Sequence, residues 1–198
     1  MPIEPGQKSK ISAGVVVAII AGGLSLFCCL GSLGAMALPN FFKFKRRSTQ
    51  SEVKVYLKAA YTGERSYFAE KDVYSESIEQ IGFAPEPGNR YRYYLSARGD
   101  MLIQGTAPDG GTHSNVGADL RKDVLTGNAT LQGSVPAVVL GSAGIKGTCP
   151  NCNITIVAVG NIDSDPTVDV WSISTEDRTI GGEKVTAGIP YCHVSDVD

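Results

Sequence analysis

The chain has 198 residues, which allows one folded domain and a short additional segment but leaves no room for two full domains. Its 18 basic and 20 acidic side chains give a formal net charge of −2, so no overall positive field attracts nucleic acid and no specific nucleic-acid partner is expected. The 23 glycines and 10 prolines favour a loop-rich domain with short strands over a helical bundle.

An uncharged apolar run covers residues 13–38, after a segment that carries Lys8 and Lys10. About 20 apolar residues suffice to cross the hydrocarbon of a membrane. A cleavable secretory signal is the alternative, but its apolar region is usually only about 7–15 residues long. We therefore expect a short cytoplasmic or leader segment over residues 1–12, a transmembrane helix over 13–38 and one head domain over 39–198.

A second helical segment follows the uncharged run, and Pro39 separates the two. Because proline lacks a backbone N–H and clashes with the preceding turn, it predicts a kink or a break in the helix. Beyond it, apolar residues recur at a period near 3.6, which predicts an amphipathic helix up to about Lys71. The apolar face that we expect to pack on the head contains Val53, Leu57, Ala60, Tyr61, Tyr67 and Phe68.

The helical period is lost after Asp72, and short strands are predicted from there on. Ser75 and Ser77 could cap a brief turn, and the proline- and glycine-rich residues 82–89 are typical of a loop. The sequence therefore predicts an α+β fold, in which a long N-terminal helix packs its amphipathic half on an antiparallel β-sheet. Strand-like patterns cover residues 90–97, 101–106, 135–140, 153–160 and 167–174.

Several motifs resemble those of one protein family. The sequence Ala-Leu-Pro-Asn-Phe-Phe-Lys-Phe at 37–44, Ser-Glu at 51–52 and Ala-Tyr-Thr at 60–62 resemble the first long helix of type IVa major pilins and of their pseudopilin relatives. The segments Ile-Gly-Phe-Ala-Pro at 81–85 and Cys-Pro-Asn-Cys-Asn at 149–153 resemble the long-chain pilins of gliding bacteria. This resemblance implies a pilin-like fold.

The resemblance also implies a function. It predicts a structural subunit of a type IV pilus or of a related filament, such as that of type II secretion, which serves motility, adhesion or export. The partners would be the membrane, other pilin subunits, the assembly machinery and a surface polysaccharide. The alternative is a membrane-anchored periplasmic binding module whose pilin-like head is not assembled into filaments.

The resemblance further decides the expected location. The basic cluster at 43–47 follows the apolar run directly, and charge counting alone would keep the head in the cytoplasm. Pilin heads, in contrast, lie outside the inner membrane. We therefore expect a single-pass inner-membrane protein of a bacterium, with its head in the periplasm or, after assembly, in a cell-surface filament.

One part of the family pattern is missing. Pilins begin with a short basic leader that ends in Gly and is followed by Phe-Thr-Leu-Ile-Glu, whereas here Ile19 stands at the fifth place after Gly14. Gly14 and Val15 could still form a processing site; the alternative is that Gly14 is one of several glycines in the span. The residues that the resemblance assigns to assembly and helix packing are Pro39, Phe41, Phe42 and Phe44.

Cys149 and Cys152 form a CxxC motif, and Cys192 follows near the C-terminus. In an exported head this pattern favours a structural disulfide. A redox pair lacks the expected βαβ context, and a zinc site would have to draw on His113 and His193. Since the C-terminal residues carry little apolar patterning, we predict that Cys192 pairs with Cys149 or Cys152 and tethers this segment.

A calcium site is a further candidate. Asn161, Asp163, Asp165 and Asp169 have the spacing of positions 1, 3, 5 and 9 of a calcium loop, and their oxygens could converge on one cation. Pro166 stands where an EF-hand needs glycine, which excludes an EF-hand itself. The alternative is a solvated turn between two strands, and no other cofactor is expected.

A run of aromatic and basic residues covers positions 90–94. Arg90, Tyr91, Arg92, Tyr93 and Tyr94 could form a recognition surface on which sugars or bases stack. Tyr91 and Tyr93 would share one face of a strand, which favours packing in the core instead. The sequence contains no nucleophile motif, no metalloprotease motif and no P-loop, so it predicts no enzyme.

Overall fold

The computed structural model describes residues 12–98, 101–102, 111–117, 136–162 and 167–197. The chain divides into two compact units, Met1–Phe44 and Lys45–Asp198, and the second unit contains the head. The predicted leader up to residue 11 and the predicted strand residues 103–106 lie outside the described residues.

One α-helix, α1, covers Ala13–Lys71. It ends at Lys71, because the φ of 57° at the next residue, Asp72, lies in the left-handed region and stops the helix. The helix is uninterrupted at Pro39, so the predicted break is wrong, whereas a kink stays a prediction. A proline removes one backbone hydrogen bond, and the remaining bonds on either side keep a long helix continuous.

The helical character predicted for residues 13–38 is confirmed, since they form part of α1. Among the described residues, no helix combines the length and the hydropathy that a membrane span requires. The transmembrane segment and its orientation stay predictions.

The head combines α1 with a largely antiparallel sheet, so the predicted α+β fold is confirmed. Within the described residues, the strands are β1 (Tyr91–Tyr94), β2 (Met101–Leu102), β3 (Asn115–Val116), β4 (Gly144–Thr148), β5 (Asn151–Gly160), β6 (Asp169–Ser174), β7 (Arg178–Ile180), β8 (Glu183–Val185) and β9 (Tyr191–Val194). The main sheet has the order β2-β3-β1-β5-β6-β9, and β7 and β8 form a separate hairpin. The parallel pair β2 and β3 is the exception to the antiparallel pairing.

Strand β5 is the centre of the sheet. One of its edges pairs with β6, while β4 and β1 follow each other along the opposite edge. Successive side chains of a strand point to opposite faces, so β5 contributes to two cores. Ile156 and Ala158 belong to the core that contains α1, and Val157 and Val159 belong to a second core on the other face.

The amphipathic half of α1 packs as its period predicts. Val53, Leu57 and Ala60 have no exposed surface and share a core with Tyr91 and Tyr93 of β1. The predicted burial of Leu57 and Ala60 is therefore confirmed. Phe68, which was also expected on the sheet, instead stacks on Tyr74 just beyond the helix, with ring centroids 4.5 Å apart.

A short helix, α2 (Ala137–Leu140), covers part of the second core. The sequence predicted a strand over residues 135–140, and this prediction is wrong. A valine-rich apolar run of this length fits a strand or a buried helical turn equally well. Pro136, whose φ is −54°, stands immediately before the helix, where its ring is compatible with the first turn.

The predicted turn after α1 is capped by its serines. The backbone N–H of Ser77 donates to Oγ of Ser75 over 3.0 Å, and that of Gln80 donates to Oγ of Ser77 over 3.4 Å. Nδ1 of His113 lies 2.9 Å from Oε1 of Glu79, which joins this turn to the segment before β3.

Candidate assembly surface and the contacts of the head

Large apolar side chains lie exposed on the first part of α1. The exposed fraction is 61% for Phe41 and 73% for Phe44, the two described aromatic residues that the family resemblance assigns to assembly. The side chains of Pro39 and Phe42 lie outside the described residues. Exposed apolar side chains in such a group are typical of surfaces that bind another molecule. The assembly role of these residues stays a prediction. The same part of the helix also exposes Val15, Val16, Val17, Ile19 and Ile20.

The predicted processing residues lie in the first turn of this helix. Gly14 and Val15 are both exposed, and the backbone N–H of Val15 donates to the carbonyl of Ser12 over 2.9 Å. Cleavage between Gly14 and Val15 stays a prediction.

A buried carboxylate holds four parts of the head together. Asp169 has no exposed surface. Its Oδ2 accepts hydrogen bonds from the hydroxyl of Tyr91 over 2.6 Å and from the indole N–H of Trp171 over 2.5 Å. Its Oδ1 accepts from the side-chain amide of Gln50 over 2.8 Å and from the backbone N–H of Asp196 over 3.1 Å. One side chain thereby joins α1, β1, β6 and the C-terminal segment.

The role of Asp169 bears on the predicted calcium site. Both of its oxygens already accept hydrogen bonds from the protein, and Asn161 is buried. Asp163 and Asp165 lie outside the described residues, so the calcium site stays a prediction. Within the described part of the chain, no group of three or more His, Cys, Asp or Glu side chains is arranged to hold a metal ion.

The predicted recognition surface at positions 90–94 is wrong. Tyr91, Arg92, Tyr93 and Tyr94 are buried, and Arg90 is half-buried with its Nη1 donating to a backbone carbonyl. The reason is the position of β1, which lies between β3 and β5 and is covered on both faces. The alternative, that the tyrosines pack in the core, is confirmed.

The disulfide joins Cys149, in the turn between β4 and β5, to Cys152 near the start of β5, with a Cα separation of 4.5 Å. Cys192 is a half-buried free thiol, so its predicted pairing is wrong. In the sheet, Cys192 lies opposite Trp171, and Trp171 lies opposite Ala158. Ala158 is about 20 Å along β5 from Cys152 at about 3.3 Å per residue. The pairing of β9 with β6 tethers the C-terminal segment instead.

The thiol of Cys192 should react slowly in the folded protein. Burial, with the nearby charge of Asp169, raises the pKa of Cys192 to about 11, and the thiolate is the reactive form. Iodoacetamide at pH 8 without reductant should therefore label Cys192 slowly, and much faster after unfolding, while Cys149 and Cys152 stay unlabelled. Mass spectrometry of the peptides checks this; label on Cys149, or none on Cys192 after unfolding, would contradict the observed pairing.

Glu64 is a polar member of the buried face of α1, four residues after Ala60, and it too has no exposed surface. Its Oε2 accepts a hydrogen bond from the backbone N–H of Ser75 over 3.1 Å, while Oε1 is buried and has no hydrogen-bond partner among the described residues. Burial raises the pKa of Glu64 to about 8; the bond from Ser75 opposes this shift and the charge of Glu76 adds to it. The helical period places Glu64 on the buried face of α1, a signal in the sequence that the functional motifs do not contain.

Comparison with known proteins agrees with this architecture. Residues 44–169 match the family model of the type IV pilin PilA. The chain is 38% identical over 192 residues to the type IV major pilin protein PilA of Myxococcus xanthus (strain DK1622), an alignment that covers 85% of this chain and 86% of that protein. The family resemblance of the motifs is thus confirmed, and the chain belongs to the type IV pilin PilA family.

Proposed function

We propose that the chain is a structural subunit of a type IV pilus and that it assembles with other pilin subunits through α1. Family membership and the similarity to a major pilin support this function. The observation that carries the proposal is the exposure of Phe41 and Phe44 on α1. Burying a phenylalanine side chain contributes about 1.5–3 kcal/mol, so contact with a neighbouring subunit would stabilise the assembled state.

The proposal also covers location and partners. Before assembly, residues 13–38 anchor the chain in the inner membrane with the head in the periplasm; after assembly, the subunit lies in a surface filament. The assembly machinery is a further partner. Type IV pilins are structural proteins, and the proposed role needs no catalytic residue. The two cysteines of the CxxC motif form a disulfide, which is consistent with a structural role.

Substitution of Phe44 by aspartate should abolish filaments without unfolding the head. A carboxylate placed in an apolar contact between subunits costs several kcal/mol because it loses its water. In the isolated subunit the same carboxylate stays hydrated, since Phe44 is 73% exposed. Immunoblots of filaments sheared from cells measure assembly, and circular dichroism of the purified chain measures folding.

The matched control is Ile189→Asp, which changes an exposed apolar residue of the head and should leave filaments in place. Normal filament yield from Phe44→Asp would contradict the proposal.

The variant Phe41→Cys distinguishes a filament subunit from an unassembled binding module. A filament subunit should cross-link to another pilin through the cysteine at this position, whereas an unassembled module should stay monomeric.

A further inference from the structure

A row of basic side chains lines the part of α1 that belongs to the head. Its four members are all exposed. They lie within about 40° of one another around the helix axis, because an α-helix advances about 100° per residue. This basic row consists of Arg47, Lys54, Lys58 and Arg65.

Aromatic side chains, and not carboxylates, contact the basic row in the described part of the chain. Nζ of Lys54 lies 4.9 Å from the centroid of the Trp171 ring, and Nη1 of Arg65 donates to the hydroxyl of Tyr74 over 3.4 Å. Among the described residues, no carboxylate lies within ion-pair distance of any member of the row. Aromatic partners do not neutralise a positive charge, so the row can still attract a negatively charged group.

Two acidic residues lie on the other side of the exposed face of α1. Glu70 is exposed and Glu52 is half-buried. Each follows an arginine of the basic row by five residues, which places it about 140° further around the helix axis. Side chains pair along one helix at separations of three or four residues, so these glutamates cannot pair with those arginines within the same helix. The surface between the two sides carries no charge and includes Val55, which is 66% exposed.

The basic and acidic residues have the same spacing along α1. Arg47 and Arg65 are 18 residues apart, and so are Glu52 and Glu70. This separation makes five full turns, or about 27 Å, so the two members of each pair lie on the same side of the helix. An axial shift that brings one arginine beside a glutamate of a second copy therefore brings the other arginine beside the other glutamate.

We propose that the exposed face of α1 in the head contacts the same face of a second copy, with the basic row of one copy beside Glu52 and Glu70 of the other. Charge complementarity selects a parallel arrangement, because two antiparallel copies would place one basic row against the other. An acidic polymer would be attracted by the basic row but repelled by the glutamates, whereas a second copy uses both.

This contact rests on the proposed function and adds to it the residues that orient neighbouring subunits. Subunits that enter a filament from one membrane share one orientation, so their helices are parallel. The contact is heterologous, since the basic side of one copy meets the acidic side of the next, and such contacts can build a filament.

Charge reversal tests the contact in cells that assemble this chain into filaments. Arg65→Glu and Glu70→Arg each place like charges side by side, so each should lower the yield of sheared filaments at least about 10-fold. The double variant, which carries both substitutions, restores an attractive pair between copies. Its yield should return to within about 2-fold of the wild type, because the effects of residues in contact are not additive.

Lys184→Glu is the matched control, since it makes the same change in charge at an exposed position of β8 and should leave the yield unchanged. Circular dichroism of each purified variant checks folding, because Arg65 also contacts Tyr74. Glu70→Arg leaves that contact in place and tests the proposal even if Arg65→Glu does not fold.

Two outcomes would overturn the proposal while leaving the proposed function intact. The first is a normal filament yield from Glu70→Arg. The second is a double variant that yields no more filaments than the single variants, which would assign the basic row to an acidic partner other than a copy of this chain. Wild-type filaments that lack this chain would instead refute the proposed function, and this contact with it.

Discussion

Replacement of Asp169 by alanine should lower the free energy of unfolding of the head by about 2–6 kcal/mol. The substitution leaves the buried hydroxyl of Tyr91 and the buried indole N–H of Trp171 without their acceptor, and each buried donor left unsatisfied costs about 1–3 kcal/mol. Gln50 is less buried and can turn to water. Since a domain is typically stable by about 5–15 kcal/mol, this one change should unfold a large fraction of the protein on mild heating.

Urea unfolding followed by far-UV circular dichroism measures this loss. That signal is preferable to tryptophan fluorescence, because Trp171 itself contacts Asp169. Asp177→Ala is the matched control: Asp177 is exposed and accepts one backbone hydrogen bond, so its loss should cost less than about 1 kcal/mol. Equal stability of Asp169→Ala and wild type would show that the carboxylate does not hold the four segments together.

Substitution of Glu64 by glutamine should remove a pH dependence from the stability of the head. The pKa of Glu64 is about 8 in the folded protein and about 4.3 in an unfolded chain. A raised pKa in the folded state means that the protonated form favours folding. This contribution is fully present below about pH 4 and is lost as the pH rises to about 8, by up to about 1.4 kcal/mol per pH unit.

Glutamine resembles the protonated carboxyl but does not ionise. At pH 7, Glu64→Gln should therefore be more stable than the wild type by about 3–4 kcal/mol, whereas at pH 4 the two should be nearly equal. Glu70→Gln, at an exposed position on the same helix, is the control and should show no such trend. Urea midpoints at several pH values provide the comparison. A difference between Glu64→Gln and wild type that does not change with pH would refute a buried, protonated Glu64.

Local patterns predicted the elements that depend on neighbouring residues. The spacing of Leu57 and Ala60 placed the buried face of α1, because helical period is a local property. The pattern over residues 153–160 likewise located most of β5. The strand predicted over 135–140 failed, since a short valine-rich run does not distinguish a strand from a helical turn.

Contacts between distant parts of the chain could not be predicted in this way. The tyrosines of β1 lie in the core because β3 and β5 flank that strand, and both follow β1 in the chain. The hydrogen-bond donors to Asp169 come from positions 50, 91, 171 and 196, which are distant in the sequence. The local spacing of Asp169 from neighbouring acidic residues predicted a calcium ligand instead. The sequence also could not determine which cysteines form the disulfide. The register of β4, β5, β6 and β9 decides which thiols lie close enough to bond.

Analysis of filaments sheared from cells that make this chain tests its role as a filament subunit most directly. Electron microscopy would show the filaments, and mass spectrometry would identify their subunits. The proposed function predicts that this chain is a repeating subunit of the filament and that neighbouring copies contact each other through α1. Recovery of the chain solely from the membrane fraction, with filaments that lack it, would contradict this function.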